Sequence, residues 1–165
     1  MNTRLRHRLF LLAFCLPLLC TAQDFDRYFT DATLRLDYVF TGDVKHQELA
    51  VDGLHQMPRW YGKRHHLAEV PVQGNGQVIM RDHVTGTVIY RNSFSTLFQE
   101  WLSYPEAQTV RKAFQNVFLT PMPKDTAEVT IELYDTHQKV MATLTHTVVP
   151  TDILIRRTGY SHVTP

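Results

Sequence analysis

Short runs of alternating apolar and polar residues, turn signals roughly every eight to twelve residues and no repeated strand–helix rhythm predict an all-β chain. The predicted architecture is a two-sheet antiparallel β-sandwich, immunoglobulin-like, with one or two short helices between strands. The first strand is read from Thr33 to Phe40, where Leu34, Leu36, Tyr38 and Phe40 fall on one face and Thr33, Arg35, Asp37 and Val39 on the other. Gly42-Asp43 ends it, and Gln47 to Val51 forms a short return strand before Asp52-Gly53. Trp60-Tyr61-Gly62 and the basic stretch Lys63 to His66 lead into an apolar segment, Leu67 to Val72, that stops at Gly74-Asn75-Gly76. Gly74 and Gly76 flank a natural positive-φ position. Gln77 to Asp82 and Thr87 to Arg91 are rich in β-branched residues and pair as a hairpin around His83-Val84-Thr85-Gly86, with Gly86 supplying the left-handed position.

The middle of the chain changes period. Phe94, Leu97, Phe98 and Trp101 stand at i, i+3, i+4 and i+7, which predicts about two turns of helix with all four residues in the core. Ser103-Tyr104-Pro105-Glu106 has capping-box spacing, predicting a second short helix to about Lys112. Alternation resumes at Phe114, Asn116 and Phe118, and Pro121-Met122-Pro123 breaks the chain. Val129, Ile131 and Leu133 then face Val140, Ala142 and Leu144 across Asp135 to Lys139, the clearest hairpin in the sequence. The expected core thus comprises Leu34, Leu36, Tyr38, Phe94, Leu97, Phe98, Trp101, Ile131, Leu133 and Leu144.

The first 22 of the 165 residues read as an export signal: a cationic start at Arg4, Arg6 and Arg8, an apolar run from Leu9 to Leu19, and small residues ending at Ala22. The run is too short for the ~20 residues of a bilayer span, and Pro17 interrupts it, so no transmembrane anchor is expected. Leu18-Leu19 before Cys20 lacks the small residue expected ahead of an acylated cysteine. The protein is expected to be exported, with residues 23–153 as the sandwich domain and 154–165 as a linker or tail. Both cysteines and three arginines lie in the leader, which leaves 14 basic and 16 acidic residues and no thiol. A surface near neutrality lacks the cationic field that holds a phosphate backbone, so nucleic acid is not an expected partner. Disulfides, a cysteine nucleophile and a zinc-cysteine site are excluded in the mature chain.

No catalytic residue, metal ligand or cofactor emerges from the remaining chemistry. The mature histidines, 46, 55, 65, 66, 83, 137, 146 and 162, never stand at i and i+2 or at i and i+4, the spacings that place two ligands on one face. There is no G-x-S-x-G elbow, and Ser93, Ser95, Ser103 and Ser161 read as turn or cap residues. Asp24, Asp26 and Asp31 read as solvation of the N-terminal segment. The candidate binding surface is Trp60 and Tyr61, two aromatics in a loop beside Lys63 and Arg64, together with Asn75 in its glycine-flanked turn.

A longer pattern runs through these residues: Phe25-Asp26-Arg27-Tyr28-Phe29-Thr30-Asp31-Ala32-Thr33-Leu34-Arg35-Leu36-Asp37-Tyr38, then Thr41-Gly42, Trp60-Tyr61-Gly62, Asp82, Ile89-Tyr90, Phe94-Ser95-Thr96-Leu97-Phe98-Gln99-Glu100-Trp101, Glu106-Ala107, Pro123-Lys124 and Pro150-Thr151-Asp152. It resembles the N-terminal domain of the bacterial immunoglobulin A peptidase family. The resemblance implies a secreted zinc metallopeptidase in which a β-sandwich precedes a catalytic domain carrying H-E-x-x-H. No His-Glu pair occurs in this sequence, so no catalytic or zinc residue carries over, and the chain by itself is expected to be non-enzymatic. The expected role is recognition or scaffolding, with a peptidase catalytic domain in cis or trans, or a host glycoprotein, as partner. The alternative is a free-standing secreted module that binds carbohydrate or glycoprotein.

Overall fold

The computed structural model of the chain describes residues 25–70 and 72–159. A one-turn helix, α1 (Phe25–Tyr28), leads into β1 (Phe29–Gly42), β2 (Gln47–Pro58), β3 (Gly76–Asp82) and β4 (Val88–Phe94). Helix α2 (Leu97–Trp101) and a 3-10 turn (Pro105–Gln108) precede β5 (Lys112–Pro123), β6 (Ala127–Tyr134), β7 (Val140–Val148) and β8 (Arg156–Arg157). The expected leader, residues 1–22, and the end of the expected tail, 160–165, lie outside the described residues.

The strands form two four-stranded sheets, β5-β1-β2-β8 and β4-β3-β6-β7. Every pairing is antiparallel except the short parallel contact of β2 with β8. The second order matches the C′-C-F-G sheet of immunoglobulin sandwiches. The first differs from that pattern, because β5 pairs with β1 rather than with β2.

Alternation explains how the sheets close on each other. In β1 the inward row Leu34, Leu36, Tyr38 and Phe40 is essentially fully buried, and in β6 Ala127, Val129, Ile131 and Leu133 form the matching row. Rings bridge the layers: Phe94 of β4 lies 4.3 Å from Phe118 of β5, and Phe29 meets Tyr90 edge-on at 6.4 Å. Such offset and edge-on pairs add to the stabilisation from apolar burial. The two expected hairpins form: Gly86 takes φ +67° between β3 and β4, and Ile131 pairs with Leu144 between β6 and β7. Phe94 and Leu144 are half-buried against the core.

Several expectations are corrected. The return strand does not stop at Asp52-Gly53, because a bulge opposite Asp37 and Tyr38 absorbs Asp52 and lets β2 continue to Pro58. The apolar segment opens with a turn and not a strand: Glu69 N–H turns back onto the His66 carbonyl, Leu67 is buried, and Val72 is exposed. Leu97 is not core but 71% exposed. Strand β4 carries Phe94 into the interior, so α2 begins only after its Thr96 cap, and one turn of helix buries just Phe98 and Trp101, three apart. The capping box does not form either. The Ser103 hydroxyl donates to the Glu100 carbonyl, and the Glu106 carboxylate accepts from Trp101 Nε1 at 3.0 Å and from Lys112. Pro121-Met122-Pro123 does not interrupt β5 but closes it as a buried segment, Pro being tolerated on an edge strand. Beyond position 153 the chain stays attached, with Ile155 buried and Arg156–Arg157 paired to His55 and Gln56.

Candidate functional site

Trp60 is packed inside its own loop. It is 7% exposed, its ring meets Tyr90 edge-on at 6.0 Å, and its Nε1–H donates to the Lys63 carbonyl at 3.0 Å. A closed turn back to Lys63 and the missing Cβ of Gly62, where one would stand 2.1 Å from the indole, fold the loop over the ring. Tyr61, by contrast, is 84% exposed. The adjacent basic stretch is tied down as well. Lys63 donates to the Glu69 and Arg91 carbonyls, and its pKa is lowered by burial; Arg64 pairs with Asp31 and lies over the Phe25 ring.

The histidines are dispersed rather than gathered. His55 pairs with Asp37, His66 with Glu69 and His83 with Glu128, while His146 is hydrogen-bonded to Tyr38. Among the described residues no three histidine, cysteine or acidic side chains converge to hold a metal ion.

Asn75 leads to a different place. Where β1 ends, four loops surround a cleft of about 630 Å³: the β1–β2 turn at Val44, the Gln73–Asn75 approach to β3, the region of Ser95 and α2, and the β6–β7 hairpin. That volume lies within the usual range of ligand pockets. Gln99 of α2 holds the loops together. Its amide nitrogen donates to the Asn75 carbonyl and, at 3.2 Å, to the Tyr134 carbonyl, while Tyr134 N–H donates to Asn75 O at 2.8 Å. The position between the two glycines, Asn75, does not take the positive φ expected from the sequence, and the glycines serve close approach instead. A Cβ on Gly74 would stand 2.1 Å from the Phe94 carbonyl oxygen, and one on Gly76 would stand 2.2 Å from the Phe94 ring.

The lining is polar and carries a single formal charge, on Asp135. Asp135, its one acid, accepts from the Lys139 and His137 backbone N–H groups, which hold its carboxyl below the usual range despite partial burial. Tyr134 is pushed up to about 12 by burial and by its hydrogen bond to Glu132, so its phenol stays neutral. The Oδ1 atom of Asn75 is buried without a partner among the described residues. Gln138 sits at φ +61°, a left-handed conformation uncommon outside Gly, Asn and Asp. Sequence reading singled out Asn75 but missed Gln73, Gln99 and Gln138, whose only signal is a side-chain amide in each of three distant segments.

The model of one known family, described as the N-terminus of peptidase M64, matches residues 24–145. The chain belongs to the peptidase M64 family. No curated protein matches it. The M64 N-terminal match runs from the start of α1 to within β7 and so contains every residue that lines the cleft. In this M64 domain no helix among the described residues is long and apolar enough to cross a membrane.

Proposed function

We propose that this chain is an exported, non-catalytic recognition module of an M64-type peptidase, and that it presents the cleft at the end of β1 to a host glycoprotein. The observation that carries the reading is the cleft itself: a preformed concavity whose walls are fixed by Gln99 and by backbone bonds. Preorganised walls suit binding, because little side-chain ordering remains to be done when a ligand arrives. Nothing in the lining pairs a nucleophile with a base, and the sequence holds no H-E-x-x-H. Export is supported by the leader pattern, and the peptidase context by the family match. Scaffolding of a peptidase catalytic domain by the same surface is the competing role.

Surface plasmon resonance over immobilised immunoglobulin A, the substrate in the family's name, tests the reading. The wild-type chain should bind saturably without cleaving, and the paired variant Gln73→Ala/Gln138→Ala should bind at least about tenfold more weakly. Equal binding by both proteins, or binding only to a recombinant peptidase domain, would replace recognition with another role.

A further inference from the structure

We infer that the cleft at the end of β1 takes a neutral carbohydrate chain. The inference rests on the recognition reading above and specifies its ligand. Three observations point the same way. Gln47, Gln73 and Gln138 line the cleft, and among the described residues their amide groups make no hydrogen bond to the protein. Each amide offers a donor and an acceptor together, the same combination a sugar hydroxyl presents. Asn75 adds an acceptor, Oδ1, that is buried and unsatisfied. A buried acceptor without a partner is costly, and a hydroxyl proton from a ligand would satisfy it.

Charge narrows the class further. The lining contains no lysine or arginine, and its single acid, Asp135, accepts two backbone N–H bonds on Oδ1 that hold it ionised. An acidic sugar or a phosphate would find no cation there and would meet the negative charge of Asp135. Val44, Leu102 and Met141 supply apolar wall against which the C–H faces of a pyranose can lie. A peptide is disfavoured because extended peptides are read by open strand edges. At the Asn75 rim the backbone is already engaged, because its carbonyl accepts from Tyr134 N–H and from the Gln99 amide.

The full chain is screened on an array of neutral and acidic glycans, beside immunoglobulin A before and after enzymatic removal of its glycans. Expected is binding to neutral oligosaccharides, loss of immunoglobulin binding on deglycosylation, and at least about tenfold weaker binding for Gln73→Ala/Gln138→Ala, both residues being exposed. Binding confined to sialylated or sulfated glycans would overturn the inference. Cleft-dependent binding that survives deglycosylation would overturn it while leaving the recognition role intact. Absence of binding to every probe would overturn both.

Discussion

The phenol of Tyr38 and Nε2 of His146 lie 2.6 Å apart, joining β1 of one sheet to β7 of the other inside the sandwich. Burial raises the Tyr38 pKa above the ordinary tyrosine value and lowers that of His146 below the ordinary histidine value, so both groups favour their neutral forms in the folded state.

The sign of the pH dependence follows. Below the histidine value of about 6.5 the unfolded chain binds a proton that folded His146 resists, so stability falls with acidification. Above about 10 the unfolded tyrosine ionises while folded Tyr38 does not, so stability falls again. Urea denaturation from pH 5 to 11 should show a plateau between these limits. In Tyr38→Phe/His146→Leu the contribution of this pair to both slopes should vanish, and unchanged slopes would remove it as their source.

Trp101 and Leu97 should separate sharply. Trp101 is 5% exposed, packs against Phe98 and Phe114, and donates to Glu106. Truncation to alanine should cost about 3–5 kcal/mol, as for other large-to-small core changes. Leu97→Ala should stay within about 0.5 kcal/mol, because the side chain is already in water. Denaturation midpoints check both, and equal losses would mean that the helical stripe is buried on both residues.

That pair also shows how far the sequence could be read. Period-two runs such as Leu34 to Phe40 and Val129 to Leu133 announce their faces directly, because each inward residue is fixed by its neighbours in the same strand. The helical stripe failed where a strand ended and a helix began inside it: Phe94 belongs to β4 and Phe98 to α2, and no local period marks the change. The cleft was less legible still. Asn75, Gln99 and Tyr134 meet only because β3 pairs with both β4 and β6, a long-range fact of topology.

The glycines at the cleft should be less replaceable than the turn glycine. Gly74→Ala and Gly76→Ala each force a methyl group against fixed neighbours and should cost about 1–3 kcal/mol, with loss of cleft binding. Gly86→Asn should be nearly neutral, since its site is open space and asparagine accepts the left-handed conformation. Thermal melts of the three variants check the order.

Trp60 should matter for folding and not for binding. Trp60→Ala removes a buried ring and its bond to Lys63, and a loss of about 3–5 kcal/mol is expected. Under conditions where the variant remains folded, its affinity for immunoglobulin A should match that of the wild type.

The cleft and the Trp60 loop are well separated along β1: Ala32 pairs with Pro58 at one end and Gly42 with Gln47 at the other, about 33 Å of strand apart. Amide chemical-shift mapping of the full chain during titration with a neutral glycopeptide therefore tells the two surfaces apart directly. Recognition through the cleft predicts saturable shifts at Gln73, Asn75, Gln99 and Gln138, with the amides of Trp60 and Tyr61 unmoved. Shifts centred on Trp60 and Tyr61, or none at the cleft at saturating ligand, would contradict it.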